Sequence, residues 1–425
     1  MKRCLNVYAA GILALASCLL TSCAVPSFAG TSTPAAPEAS PSPAIEQCTA
    51  GTDDGYYTCD QYFPGGRSLS YVDYASMEES FLCDAPTCTH DSDACVSYYP
   101  HDGKTQLSGV YAVSDQLLAV QICPSETSNA HIDLLDLDGT FRSCLAEFSA
   151  GQELCWDISG GYYTDEEALY TTLAKVDPDT AARQETIVRI SLQDGTVSRL
   201  HEAPAPGYQL LLAGAAGREL LFWEFDARTI SPDPDQNSDT LRAVHADTGE
   251  VRALPYQCTD STGIVVNGGQ IFSIDWENAA FMVCTYPSES GISCDYTALQ
   301  QEVLREYGTI VNEGIRPLEF TDEYCAVTFS VQDEAGDAHH IAYLYNITSG
   351  ETCRFTLMQT FKEDLIQVRA KTPWGLFVKK DTIPQTSAAG DVIPELYLTE
   401  WGMLPEESYL HSVPEYSKTA TLTLP

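Results

Sequence analysis

One hairpin signature returns along this chain at a nearly constant interval, and it limits the fold more than any other feature. Each copy is an apolar strand, a polar turn closed by glycine and a second strand. The copies read Ile132-Asp-Leu-Leu-Asp-Leu-Asp-Gly139-Thr, Ile190-Ser-Leu-Gln-Asp-Gly195-Thr-Val, Ala243-Val-His-Ala-Asp-Thr-Gly249-Glu-Val, Leu344-Tyr-Asn-Ile-Thr-Ser-Gly350-Glu-Thr and Leu396-Tyr-Leu-Thr-Glu-Trp-Gly402-Met-Leu. Glycine at such a place supplies the positive φ that a tight hairpin turn demands. The intervals between these glycines are 56, 54, 101 and 52 residues, and the long one is two periods with a weaker copy inside it, Met282 to Gly291. Ser70 to Leu82 supplies an earlier copy without the glycine, so seven units are counted. A period near 50 with about four strands per unit is the signature of a β-propeller.

The rest of the chain agrees with an all-β fold. Short runs rich in Val, Ile, Leu, Tyr and Phe, such as Gln116-Leu-Leu-Ala-Val-Gln-Ile and Glu219-Leu-Leu-Phe-Trp-Glu-Phe, alternate with Gly, Asp, Asn and Ser turns. One helix is expected, from Tyr296 to Tyr307, as an insertion. The sequence therefore predicts a propeller of about seven four-stranded blades over residues 51–412, with a C-terminal tail at 413–425; a pair of β-sandwich domains is the structural alternative. Neither the Gly-His and Trp-Asp pairs of WD40 repeats nor the double glycines of kelch repeats occur. Ala246-Asp247-Thr248-Gly249-Glu250 resembles the Asp-x-Thr-Gly turn of quinoprotein-like propeller repeats, without the tryptophan that follows it there.

The N-terminus addresses the protein. A basic start, Met1-Lys2-Arg3, precedes an apolar run from Val7 to Leu20 that is too short for a permanent membrane span, and Leu20-Thr21-Ser22-Cys23 follows directly. This segment resembles the lipobox of exported bacterial lipoproteins. The resemblance implies a signal peptide at 1–22, cleavage before Cys23, lipidation of its thiol, and residence on the extracytoplasmic face of a bacterial cell membrane. Residues 23–50 read as a linker, rich in Ala, Pro, Ser and Thr up to Ala44, that cannot bury enough surface to fold. The anchor, the linker and the segment Phe81-Leu-Cys-Asp-Ala-Pro-Thr-Cys-Thr-His90 are similar to those of uncharacterised propeller-like lipoproteins of Gram-positive gut bacteria.

The whole chain has a formal charge of −38, and losing Lys2 and Arg3 makes the mature form more acidic still. Nucleic acid is excluded as a partner on that ground, because phosphate binding needs clustered Lys and Arg. The expected partners are the membrane, through the lipid, and a protein or carbohydrate ligand.

Cys83-x4-Cys88-x-His90-x4-Cys95 is the densest candidate site. Three thiols and an imidazole could close a tetrahedral zinc site. Outside a membrane, disulfide pairing is the favoured reading of the same cysteines. Thirteen cysteines follow Cys23, an odd number, so at least one has no internal disulfide partner. Cys123, Cys284, Cys325 and Cys353 lie in or beside apolar strands and read as small buried hydrophobes. Asp233, Asp235, Asn237 and Asp239 place oxygens at alternate positions, a weak calcium-loop pattern that lacks the turn glycine and the closing glutamate. His339-His340 straddles the two faces of a strand start, an arrangement that rarely ligates one ion jointly. Trp156, Trp223, Trp276, Trp374 and Trp401 are expected in strand cores. No catalytic residue is assigned, since no nucleophile elbow, P-loop, dinucleotide fingerprint or zinc-protease motif occurs. The function expected is a surface-anchored binding or scaffolding module; an enzyme acting on carbohydrate or peptidoglycan, and metal handling or redox sensing through the Cys83–Cys95 cluster, are the alternatives.

Overall fold

The computed structural model describes residues 43–422 except 64, 86, 91, 93, 101–105, 123–128, 141, 150, 155–160, 178, 181, 227–238, 260, 333–335, 361–364 and 387–391. Seven antiparallel sheets of four strands stand in a ring, so the chain is a seven-bladed β-propeller. After β1 (Glu46–Gln47), blade 1 holds β2 (Gly55–Phe63), β3 (Gly66–Asp73), β4 (Glu79–Phe81) and β5 (Tyr98–Pro100). Blade 2 holds β6 (Gln106–Val113), β7 (Gln116–Ile122), β8 (His131–Asp136) and β9 (Arg142–Glu147). In blade 3, β10 (Gln152–Leu154) and β11 (Tyr163–Thr164) both edge β12 (Ala168–Val176), followed by β13 (Arg183–Ser191) and β14 (Val197–Glu202). Blade 4 is β15 (Tyr208–Ala216), β16 (Glu219–Asp226), β17 (Asp239–His245) and β18 (Val251–Cys258). Blade 5 is β19 (Thr262–Asn267), β20 (Gln270–Asp275), β21 (Ala280–Thr285) and β22 (Gly291–Asp295). The helix α1 (Thr297–Tyr307) leads to blade 6, with β23 (Thr309–Leu318), β24 (Thr321–Gln332), β25 (Ala338–Asn346) and β26 (Thr352–Phe355). Blade 7 is β27 (Gln367–Thr372), β28 (Gly375–Thr386), β29 (Val392–Leu404), a helical turn α2 (Glu406–Leu410) and β30 (Lys418–Thr421).

Burial explains why the strands read differently in sequence. A second strand such as β7 is covered on both faces by neighbouring blades and is apolar almost throughout, whereas the outer β14 is exposed along most of its length. The core is divided into seven clusters, one at each blade interface. Leu118, Val120 and Ile132 of blade 2, for example, meet Leu169, Val188 and Ile190 of blade 3. The helix α1 contributes Leu299 and Val303, one turn apart, to the interface of blades 5 and 6. It ends at Gly308, whose φ of +86° lets its N–H reach the Leu304 carbonyl.

The seventh cluster closes the ring: Phe377, Trp401 and Met403 of blade 7 pack on Val72, Tyr74 and Tyr56 of blade 1. Phe377 and Trp401 stack at 5.1 Å, and Tyr56 tilts against both. Backbone pairing of Tyr62 with Tyr397 joins the two blades into one continuous sheet. An ionic node reinforces the seam, with Asp60 of β2 taking Lys379 at 2.7 Å and Arg369 at 3.5 Å.

Two boundaries and one turn differ from the sequence expectation. Residues 45–50, assigned to the linker, cross from blade 4 to blade 1. Along them Ile45 N–H donates to the Gly217 carbonyl of blade 4, Cys48 N–H to Tyr162 in blade 3, Ala112 N–H of blade 2 to Thr49, and Tyr57 N–H of blade 1 to Ala50. The stretch expected as a tail contributes β30, paired along β29. Gly402 is no turn residue: it lies inside β29 opposite Val378, and a side chain there would strike the Tyr416 ring at 2.6 Å. The four earlier glycines do turn hairpins, with φ of 71° at Gly139, 69° at Gly195, 68° at Gly249 and 74° at Gly350.

Candidate metal centre

The edge strand of blade 1 is broken in two. β4 pairs with β3 over Ser70 to Val72 and β5 continues the same line over Gly66 to Ser68, with residues 82–97 thrown out between them. Both ends of this excursion bond to one residue. Leu82 N–H donates to the Leu69 carbonyl at 3.0 Å, and Leu69 N–H donates to the Ser97 carbonyl at 2.8 Å. The loop is thus an Ω-type excursion with a closed neck, and its length costs the strand no hydrogen bond at that neck.

Short internal bonds shape it. Cys88 N–H donates to the Ala85 carbonyl and Cys95 N–H to that of Ser92. The Ser68 hydroxyl donates to the His90 carbonyl at 2.9 Å, and the His90 ring stacks on Phe81 at 4.2 Å. His90 itself is in the left-handed region, with φ of 56°, a conformation that turns its ring back over the strand.

These constraints bring Cys83, Cys88, His90 and Cys95 together, their ligand atoms all within 4.8 Å of one another. His90 Nδ1 lies 3.4 Å from Cys95 Sγ, and the His90 backbone N–H donates to Cys88 Sγ at 3.4 Å. Cys95 is buried and its sulfur lies 3.0 Å from the Ser97 hydroxyl; Cys83, Cys88 and His90 are partly exposed. Burial pushes the Cys83 thiol up to about 11, against the pull of the Ala85 backbone N–H and with help from hydrogen bonds to Cys95 and Cys88. At Cys95 burial works in the same direction but is outweighed by hydrogen bonds from the Ser97 hydroxyl and backbone and from its two cysteine neighbours, so its thiol sits below the ordinary value. The loop therefore holds one thiol disposed to ionise beside two others and an imidazole. No disulfide joins any of the three thiols. Each of the three sulfurs lies within 4.8 Å of the other two and of a histidine nitrogen. Three soft sulfurs and one nitrogen in a single loop could bind a metal ion, and that donor set suits zinc-type ions rather than calcium or magnesium.

The other candidates fare differently. Cys23, Asp233, Asp235 and Asn237 lie outside the described residues; Asp239 opens β17 opposite Cys258, and burial raises its carboxyl. His339 and His340 both stand in β25, His340 with Nδ1 3.1 Å from the Ser330 hydroxyl and His339 tilted against Tyr307. Trp223 and Trp401 are core residues and Trp276 packs on the core, whereas Trp374 is 48% exposed, at the turn between β27 and β28; Trp156 lies outside the described residues. Cys284 and Cys325 are buried as expected, while Cys353 is exposed on the outer strand β26 and Cys123 lies outside the described residues.

Sequence reading missed the node at the closing seam. Asp60 and Arg369 each fall where the strand register jumps, at bulges in β2 and β27, and bulges re-aim side chains. The local signal is a lysine pair, Lys379-Lys380, directly after the apolar run Leu376-Phe377-Val378.

No protein-family model matches the chain, and no curated protein matches it. Among solved structures the chain is similar to an oligogalacturonate lyase in complex with manganese, at 12% identity over 85% of this chain and 89% of that one, with a TM-score of 0.46. It is also similar to the oligogalacturonate lyase of Vibrio parahaemolyticus, at 10% identity over 86% and 92%, with a TM-score of 0.44. A third is the acylaminoacyl peptidase of Pyrococcus horikoshii, at 12% identity over 86% of this chain and 58% of that chain, again with a TM-score of 0.44.

Proposed function

We propose that this chain is a lipid-anchored, extracytoplasmic propeller that works as a binding or scaffolding module, and that blade 1 carries a structural zinc ion on Cys83, Cys88, His90 and Cys95. The observation that carries the zinc reading is the convergence of four soft ligands from one necked loop within 4.8 Å. A tetrahedral ion would spend all its positions on these four, leaving none for water or substrate, so the centre would order the loop rather than catalyse. The Ser97 hydroxyl beside Cys95 and the Ser68 hydroxyl on the His90 carbonyl act as the outer hydrogen bonds that hold ligands in place.

The anchoring part of the reading rests on the lipobox-like run ending in Cys23. Metal analysis and thiol counting on the mature protein test the zinc assignment. Near-stoichiometric zinc with Cys83, Cys88 and Cys95 shielded from alkylation is the expected result; a metal-free protein that takes up no zinc with these thiols reduced would overturn it. Loss of lipid labelling in Cys23→Ala tests the anchor, and unchanged labelling would refute it.

A further inference from the structure

We infer that Cys83 and Cys88 form a reversible, peroxide-sensitive pair whose oxidation expels the metal from blade 1. The inference rests on the zinc reading above and adds a regulation to it. Its basis is the unequal exposure of three sulfurs that lie within 4.8 Å of one another. Cys95 is 2% exposed and flanked by the Ser97 hydroxyl at 3.0 Å and His90 Nδ1 at 3.4 Å, so an oxidant from solvent is shut off from it. Cys83 and Cys88 are partly exposed on the same loop and separated by only four residues. Bringing their sulfurs to a bond of about 2 Å needs a movement of less than about 3 Å within a loop.

The step balances with hydrogen peroxide as the oxidant. One accessible thiolate attacks a peroxide oxygen; the O–O bond breaks, hydroxide leaves and a sulfenic acid forms on that sulfur. The second thiolate then attacks the sulfenic sulfur, the S–O bond breaks and a second hydroxide leaves, giving the Cys83–Cys88 disulfide. Two electrons pass from the two sulfurs to the two peroxide oxygens. Cys95 and His90 alone are too few to hold the ion, which departs while Cys95 takes a proton from water.

The neck at Leu69 determines what the rest of the protein feels. Because both ends of the loop are fixed to one residue of β3, the change stays in residues 82–97 and the ring persists.

The test uses the mature full-length protein after zinc loading, titrated with hydrogen peroxide. A chromogenic chelator follows released zinc, intact mass follows the loss of two hydrogens, and peptide mapping locates the bond. Stoichiometric zinc release with a Cys83–Cys88 link, reversed by a dithiol reductant and added zinc, is the expected result. Retention of zinc against excess peroxide, a bond to Cys95, or irreversible sulfonic acid on either residue would overturn the inference while leaving the zinc reading standing. Cys88→Ser provides a second arm: it is expected to accumulate a sulfenic acid at Cys83 that a dimedone-type probe captures, and no capture counts against the pair. Failure of the parent protein to load zinc at all is the separate outcome that removes the zinc reading itself.

Discussion

Ser97 places its hydroxyl 3.0 Å from the sulfur of Cys95, the buried member of the four ligands. Removing that contact leaves the four ligands present but one of them less firmly held. Ser97→Ala is therefore expected to weaken zinc binding by roughly tenfold, measured by competition with a chelating dye, without changing the far-ultraviolet circular dichroism. Glu319, in the turn between β23 and β24, presents the opposite case of a group that burial disfavours when charged. Burial pushes its carboxyl up to about 8, and the nearby Arg369 offsets this only in part. The folded chain thus holds that proton more tightly than the unfolded chain does. Stability from this residue is present below the ordinary glutamate range near pH 4.5 and is lost as pH rises from there through about 8. Glu319→Gln keeps the site neutral and should raise the Tm at pH 8.5 by roughly 2 °C while changing it little near pH 5. A Tm difference that is flat with pH would show that Glu319 titrates normally.

At the scale of elements, the split edge strand separates the loop from the ring. Joining Leu82 to Ser97 through a short glycine linker is expected to preserve cooperative unfolding and abolish zinc uptake together, as read by urea denaturation and metal analysis. Loss of the fold in this deletion would mean that the loop supports the blade 1 and blade 2 interface. The same element separates what is written locally in the chain from what is not. Four ligands within thirteen residues are local, so their spacing is legible in the amino-acid sequence, and the hairpin turns at Gly139, Gly195, Gly249 and Gly350 carry the period because each needs a positive φ. Gly402 keeps the same interval for another reason, namely that Tyr416 leaves no room for a side chain in β29; blade 7 makes its return through α2 instead of a tight turn. The choice between disulfide and convergent thiols is not legible in the same way, because it depends on the left-handed turn at His90 and the neck at Leu69. Neither of these has a residue-type signature.

For the whole molecule the decisive contact is the one between its ends. Asp60 and Lys379 are 319 residues apart in sequence, and no local pattern announces such a pair. Lys379 and Arg369 overcome the effect of burial on Asp60 and hold its carboxyl well below the usual range, so this charge persists until strongly acid pH. Asp60→Asn strands the nearly buried Lys379 ammonium and is expected to cost about 2 kcal/mol, less than for a fully buried pair because Asp60 keeps 27% of its side chain accessible. Urea unfolding followed through Trp401, which sits in the closing cluster, would register it, and an unchanged midpoint would assign closure to the aromatic packing alone. The crossing segment at 45–50 adds a mechanical property to the closed ring. Tension arriving along the chain from residue 43 would meet blade 4 first, through the Arg218 bond to the Pro43 carbonyl and the Ile45–Gly217 bond, then the bonds at Cys48, Thr49 and Ala50, each made to a further blade. A pull would accordingly peel one contact at a time and spread its load around half the circle before any blade could be drawn out of register.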